Sequence, residues 1–248
     1  MRPTVLITGA STGIGAACAR LFAHNGYDVG IGYRSDRAAA ETVAADVAAA
    51  GGTAALLPGD VADPAAIEAL FDAFDAAFPR LDALVNNAGI VGPVARLQDM
   101  DADRLQAMFA TNLTGAFLVA RNAVRRMSTE AGGRGGAIVN MSSAAARLTG
   151  ANQYVDYAAS KAALDTMTLG LATEVAGQGI RVNAIRPGLI ETPIHAKGGQ
   201  PDRLERLGHS VPIGRPGTPD EVAEAALWLA SDAARYVTGA ILDVAGGR

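Results

Sequence analysis

Tyr157 and Lys161, in the stretch "YAASK", stand four residues apart. On a helix that spacing puts both side chains on one face, a turn apart. An unperturbed phenol has a pKa of about 10 and transfers protons poorly at neutral pH. A nearby ammonium favours the phenolate, and lowering the phenol by about two units asks roughly 3 kcal/mol of one close charge. A tyrosine tuned in this way can give a proton to a carbonyl oxygen or take one from an alcohol. Ser143 ends the run "AIVNMSS", 14 residues before Tyr157, and its hydroxyl can hold the reacting oxygen; Ser142 is its rival. The pair alone decides little, because an amphipathic helix with a snorkelling lysine has the same spacing.

A second cluster suits phosphate. In "ITGASTGIG", Gly9, Gly13 and Gly15, with Ser11, Thr12 and Ile14 among them, follow directly on the apolar Val5-Leu6-Ile7. If the apolar run is a strand and a helix starts at Ile14, the helix start offers free N–H groups and a partial positive charge. Glycines let the backbone approach a pyrophosphate. The spacing is G-x-x-x-G-x-G rather than the usual G-x-G-x-x-G, and by itself it also describes a tight turn.

These groups need a scaffold, and the chain supplies one by alternation. Strands are predicted over Thr4–Thr8, Val29–Tyr33, Ala54–Pro58, Ala83–Asn86, Ala137–Met141, Arg181–Arg186 and Ala240–Val244. Helices are predicted over Ile14–Asn25, Asp36–Ala50, Pro64–Ala77, Asp101–Met127, Tyr157–Ala176 and Thr218–Ser231. Continuously apolar strands alternating with helices imply an α/β fold: a single-domain, doubly wound parallel sheet of about seven strands, helices on both faces. The segment from Glu191 to Val211, rich in glycine and proline, reads as a lid over a substrate.

Bulk properties exclude other classes. The chain has 248 residues, half of them hydrophobic, and a net charge of −4, which argues against nucleic-acid and anionic-membrane partners. One cysteine, Cys18, rules out an internal disulfide framework and suits a reducing, cytoplasmic setting. Met1-Arg2-Pro3 runs straight into the first strand, leaving no room for a signal peptide. The three histidines, His24, His195 and His209, fall at no metal-ligand spacing, so no metal is expected.

Taken in order, "TGASTGIG" at 8–15, "NNAG" at 86–89, Asn112 in "TNLTG", "SS" at 142–143, "YAASK" at 157–161 and "RPG" at 186–188 resemble the short-chain dehydrogenase/reductase family. The resemblance covers essentially the whole chain, down to "VTGAILDVAGGR". It implies a Rossmann-type oxidoreductase that moves hydride between a nicotinamide cofactor and a carbonyl or alcohol. Tyr157 would be the acid/base, Lys161 its tuning partner, Ser143 the group orienting the oxygen, and Asn112 the residue supporting a water relay. The glycine turn would bind the diphosphate, with Asn87, Ala88 and Gly89 along the adenosine and ribose. Asp60 and Val61 would meet the adenine, and Pro187, Gly188, Ile190 and Thr192 the nicotinamide, with Tyr157 and Lys161 also touching the cofactor. The gap from Ser143 to Tyr157 is about one residue longer than the family's, an insertion that would reshape the substrate pocket. Tyr154 could line its mouth.

The resemblance leaves the cofactor's second phosphate open, and the residues after the second strand address it. Sheets that prefer NAD carry an acidic residue there, about 20 residues past the glycines. Here Tyr33, Arg34 and Ser35 occupy the region, and a guanidinium with a hydroxyl beside it suits a 2′-phosphate. NADP(H) is therefore expected over NAD(H), with Asp36 as the following helix's N-cap. A homo-oligomer, a tetramer, is expected from apolar surface on two helical segments: Ala163, Met167, Leu169, Leu171 and Val175 on one, Phe117 and Leu118 on the other. Two other classes fit the glycine turn. A catalytically silent NAD(P)-binding sensor would not need the Ser-Tyr-Lys trio, and a methyltransferase cofactor has no phosphates for the turn to hold. No residue names the substrate.

Overall fold

Each of the seven apolar runs forms a strand in the computed structural model, which describes residues 2–248. The strands are β1 (Thr4–Ile7), β2 (Asp28–Tyr33), β3 (Ala54–Pro58), β4 (Ala83–Asn86), β5 (Gly136–Met141), β6 (Ile180–Pro187) and β7 (Ile241–Val244). All pair in parallel, in the order β3-β2-β1-β4-β5-β6-β7, with Val5 opposite Val29 on one side and Ala83 on the other. Strand order reverses between β1 and β4. The crevice beyond their carboxyl ends is where open α/β sheets bind ligands.

The helices are α1 (Gly13–His24), α2 (Arg37–Ala49), α3 (Pro64–Ala77), α4 (Ala102–Phe109), α5 (Ala116–Met127), α6 (Ala145–Leu148), α7 (Val155–Val175), α8 (Ile194–Lys197), α9 (Arg203–Gly208) and α10 (Pro219–Ala230). Period-two alternation sends strand side chains to two cores. Val5, Ile7, Val85 and Val139 pack with Phe22 of α1, Val43 of α2 and Val222 of α10. Leu6, Leu84 and Ile138 pack on the other face with Phe71 and Phe74 of α3, Val119 of α5 and Val175 of α7. Cys18 is wholly buried in the first core, and burial pushes its thiol up to about 12, far from thiolate reactivity.

Two expectations need correction. The helix predicted over Asp101–Met127 is broken by a π-helical turn at Ala110–Gly115. The wider turn lets Gly115 lie against the Val61 carbonyl, where a Cβ would meet the oxygen at 2.2 Å. The apolar surface on α5 and α7 is also smaller than expected. Met167 and Val175 are buried within the chain, while Phe117 and Leu169 remain about half exposed, at 49% and 48%.

Candidate active site

The glycine turn joins β1 to α1 at the crevice. Gly9 and Gly13 have φ of +65° and +57°, a region that favours glycine, and a Cβ on Gly15 would stand 2.3 Å from the Gly9 carbonyl oxygen. Thr12 is the N-cap of α1, yet its side chain caps nothing, and no acidic residue occupies the first turn. The helix start is thus backbone donor without internal acceptor, a fit for an anionic diphosphate. Thr8 braces the crevice: its Oγ1 accepts from the backbone N–H groups of Asn87 and Ala88, both at 3.0 Å. Asn87 Nδ2 donates back to the carbonyls of Thr8 and Gly9, at 2.8 and 3.2 Å.

Ser142 and Ser143 follow β5, and the structure separates their tasks. Ser142 is buried and donates to the Lys161 carbonyl at 3.1 Å, holding α7 to the strand end. Ser143 shares the cavity wall with Tyr157, whose ring stands edge-on to Tyr154 with ring centroids 5.8 Å apart. The phenol's pKa lies above its ordinary value: burial raises it most, and the Ser143 hydroxyl pulls it down only in part. This departs from the expected tuning by Lys161. The ammonium Nζ lies 5.8 Å from the Tyr157 ring centroid and donates instead to the Met141 carbonyl at 2.7 Å.

Lys161 is itself weakened as a cation, because burial lowers its pKa from 10.5 to about 8, with Asp165 opposing. Below pH 8 folded and unfolded lysine are both protonated, and the folded state carries the full desolvation cost, about 3 kcal/mol for such a shift. Between about 8 and 10.5 the folded chain has lost the proton while the unfolded chain keeps it, so the cost fades as pH rises. A Lys161→Met variant should therefore be more stable than the parent at pH 6.5, although the Met141 carbonyl loses its donor. The gain should shrink or reverse by pH 10.5. Urea titrations at both pH values check this, and a pH-independent difference would contradict it.

Asn112 sits in the π-helical turn, buried. Its Oδ1 accepts from the Ile90 N–H and its Nδ2 donates to the Ile90 carbonyl, both at 2.8 Å, with Ser160 Oγ 3.2 Å from Nδ2. Its side chain therefore clamps the loop after β4. Gly89 beside it has no Cβ to block the approach of Asn112 Oδ1 and Lys161 Nζ, each 3.3 Å from where one would be.

One cavity of about 310 Å³ gathers much of the expected set. Ile14, Asn87 and Gly89 line one side, Ser143, Tyr157 and Lys161 another, and Pro187, Gly188, Ile190 and Thr192 a third. Arg34 and Ser35 lie outside it, exposed beyond β2, while Asp36 caps α2 by accepting from the Ala39 N–H at 3.0 Å. Asp60 holds its own turn through the Ala62 N–H at 2.9 Å, and Val61 is buried against Gly115. The residues after Ser143 wind through α6 into a turn where Thr149 and Asn152 adopt φ of 65° and 60°. This turn brings Gln153 and Tyr154 to the cavity wall. Sequence reasoning missed Thr8, although a hydroxyl closing β1 inside the quoted motif was a usable sign. It also missed Gln153, brought in by the turn after α6, and His195 and Arg203, which reach the wall through the packing of the segment after β6.

The chain as a whole has counterparts among known proteins. The chain matches, over residues 9–248, the family model described as enoyl-(acyl carrier protein) reductase. It is 49% identical to the uncharacterized oxidoreductase YgfF of Escherichia coli, covering 98% of each chain. It is 43% identical to the L-rhamnose 1-dehydrogenase (NAD(P)(+)) of Azotobacter vinelandii, over 98% of this chain and 95% of that one. The crystal structure of 3-ketoacyl-(acyl-carrier-protein) reductase from Brucella melitensis complexed with NADH superposes with a TM-score of 0.90 at 33% identity, covering 99% and 98% of the two chains. No described helix is long and apolar enough to cross a membrane. By the family model and by full-length relatives and solved structures alike, the chain belongs to the short-chain dehydrogenase/reductase family of oxidoreductases.

Proposed function

We propose that this protein is an NADP(H)-preferring oxidoreductase that interconverts a carbonyl compound and a secondary alcohol. The observation that carries the reading is the meeting of Ser143, Tyr157 and Lys161 on one cavity that also reaches the diphosphate turn through Ile14 and Asn87. When bound, the nicotinamide supplies or accepts the hydride. The Ser143 hydroxyl holds the reacting oxygen against the Tyr157 phenol. The phenol, kept protonated at neutral pH by its burial, gives its proton to that oxygen in reduction and recovers it in oxidation. Lys161 and the Asn112 clamp fix the base of the cavity. Ser11, Thr12 and the turn glycines hold the diphosphate, Arg34 and Ser35 the 2′-phosphate, and Asp60 and Val61 the adenine. The segment 191–211 acts as the lid, a role supported by Thr192, Ile194, His195 and Arg203 forming cavity wall.

The working form is a homotetramer in the cytoplasm. Support for assembly comes from Phe117 on α5 and Leu169 on α7, both half exposed, with exposed Trp228 and Tyr236 elsewhere. Sedimentation at micromolar concentration should give several times the 25.2 kDa chain mass; a monomer would refute the assembly. The reaction itself is tested by following NADPH and NADH oxidation with a panel of aldehydes, ketones, sugars and acyl-thioesters. Turnover with NADPH on at least one carbonyl, abolished by changes at Tyr157, is expected, and none across the panel would count against the reading.

A further inference from the structure

Among the described residues four charged side chains are buried: Asp156, Asp165, Lys161 and Arg203. The two carboxylates are paired, Asp156 with Arg104 at 2.8 Å and Asp165 with Arg186 at 2.9 Å. The two cations have no carboxylate within ion-pairing distance, and both line the same cavity. Lys161 is explained by its place beneath Tyr157. Arg203 is only the smallest of the influences on the Tyr157 phenol, which it pulls slightly down, and that does not explain its burial.

Arg203 opens α9 and turns inward. Its Nη1 donates to Oε1 of Gln153 at 3.0 Å and of Gln200 at 2.8 Å, and its Nη2 donates to the Tyr154 phenol. Every partner is a neutral oxygen. The adjacent Asp202 carboxylate pairs with Arg206 instead, at 3.4 Å. His195, on the same wall, has its Nε2 2.8 Å from the Ile190 carbonyl, and burial keeps its pKa below the ordinary value, so at neutral pH it brings no charge. Arg248 reaches the cavity too. The Arg203 guanidinium lies 5.2 Å from the Tyr154 ring centroid, and that ring meets Tyr157 directly. A positive charge therefore stands one aromatic ring away from the group that transfers the proton.

A buried cation held only by neutral oxygens is poorly compensated, and a guanidinium fork matches a carboxylate in two parallel hydrogen bonds. The same cavity is also lined by the apolar side chains of Val91, Leu148 and Ile194. The geometry points to a substrate that is a small keto or hydroxy acid: its carboxylate seated on Arg203, its apolar body along that wall, and its carbonyl or alcohol carbon at Ser143 and Tyr157. This assigns Arg203 as the specificity-determining residue and rests on the hydride-transfer reading above. The lid delivers the charge, so closing the segment and recognising the acid are one event.

The test compares matched acids and esters. Levulinate and 4-oxocyclohexanecarboxylate are each assayed against their methyl esters with NADPH and NADH, for the parent, Arg203→Gln and Arg203→Lys. The parent should favour the acids in kcat/KM, mainly through KM. Arg203→Gln should cut the acid-over-ester ratio at least about 10-fold, and Arg203→Lys should recover part of it. Calorimetry adds a readout independent of turnover: cyclohexanecarboxylate should bind the NADP⁺-loaded protein, its carboxamide should bind at least about 10-fold more weakly, and Arg203→Gln should erase the difference. An acid-over-ester ratio near one in the parent, a ratio unchanged in Arg203→Gln, or equal binding of acid and amide each overturns the proposal. So does a preference for phosphate esters or acyl-thioesters over the free acids. Anion binding that depends on Arg203 without turnover on acid or ester would retain the anion seat and reject the hydride-transfer reading instead. Should Arg203→Gln prove unfolded by circular dichroism, the parent's ratios and Arg203→Lys decide the matter.

Discussion

A Tyr157→Phe variant is expected to lose at least ~100-fold in turnover while keeping its fold and cofactor affinity. Phenylalanine preserves the ring that meets Tyr154 edge-on and deletes only the phenol hydroxyl. General acid–base groups contribute about 10²–10⁴ in rate. The direction of the phenol's pKa adds a pH signature. Burial raises it, so the protonated form needed for carbonyl reduction dominates at neutral pH, whereas the phenolate needed for alcohol oxidation grows as pH rises toward that pKa. Oxidation by the parent should accelerate with pH while reduction does not, and the variant should lose this dependence. Steady-state kinetics in both directions measure it; a variant with most of its activity intact on a true substrate would remove Tyr157 from the role.

Replacing Arg34 with alanine should weaken NADPH binding ten-fold or more and leave NADH nearly untouched. Arg34 and Ser35 are exposed beyond the end of β2. The charges around them are engaged: Asp36 caps α2 at the Ala39 N–H, and Arg37 pairs with Glu41 at 2.8 Å. On the NADP(H) reading proposed above, Arg34 is the cation offered to the 2′-phosphate, and losing one charge-assisted contact costs about 1.5–3 kcal/mol, which covers that ten-fold. Fluorescence titration with both cofactors decides. Equal losses, or a parent that prefers NADH, would show that Arg34 is not the discriminator.

Much of this was legible in the residues because the interactions are local or periodic. Continuous apolar runs locate the seven strands to within one residue at each end, and Thr218, Asp36 and Asp63 mark helix starts by capping. The clustering of Ser143, Tyr157 and Lys161 was legible because a helix fixes Tyr157 relative to Lys161, and because Ser143 follows a strand end. What the sequence hid depends on packing across long separations. Arg104 and Asp156 lie 52 residues apart, and Arg203 and Gln153 lie 50 apart. No local pattern distinguishes such arginines from solvated ones. The weakening of Lys161 was equally hidden, since desolvation depends on what the whole cavity wall excludes.

The π-helical turn between α4 and α5 also solves a problem of phase. An α-helix advances about 100° per residue, and a π turn takes up an additional residue. Arg104 on α4 must face α7 to meet Asp156, while Val119, Ala123 and Met127 on α5 must face the sheet. A single regular rod would lock these two directions together. The turn absorbs that residue locally, so α4 and α5 each keep their own azimuth; the same sequence wound as one regular α-helix would rotate α5 against α4 by about 100°. Either the Arg104–Asp156 pair or the apolar stripe of α5 would then face the wrong way.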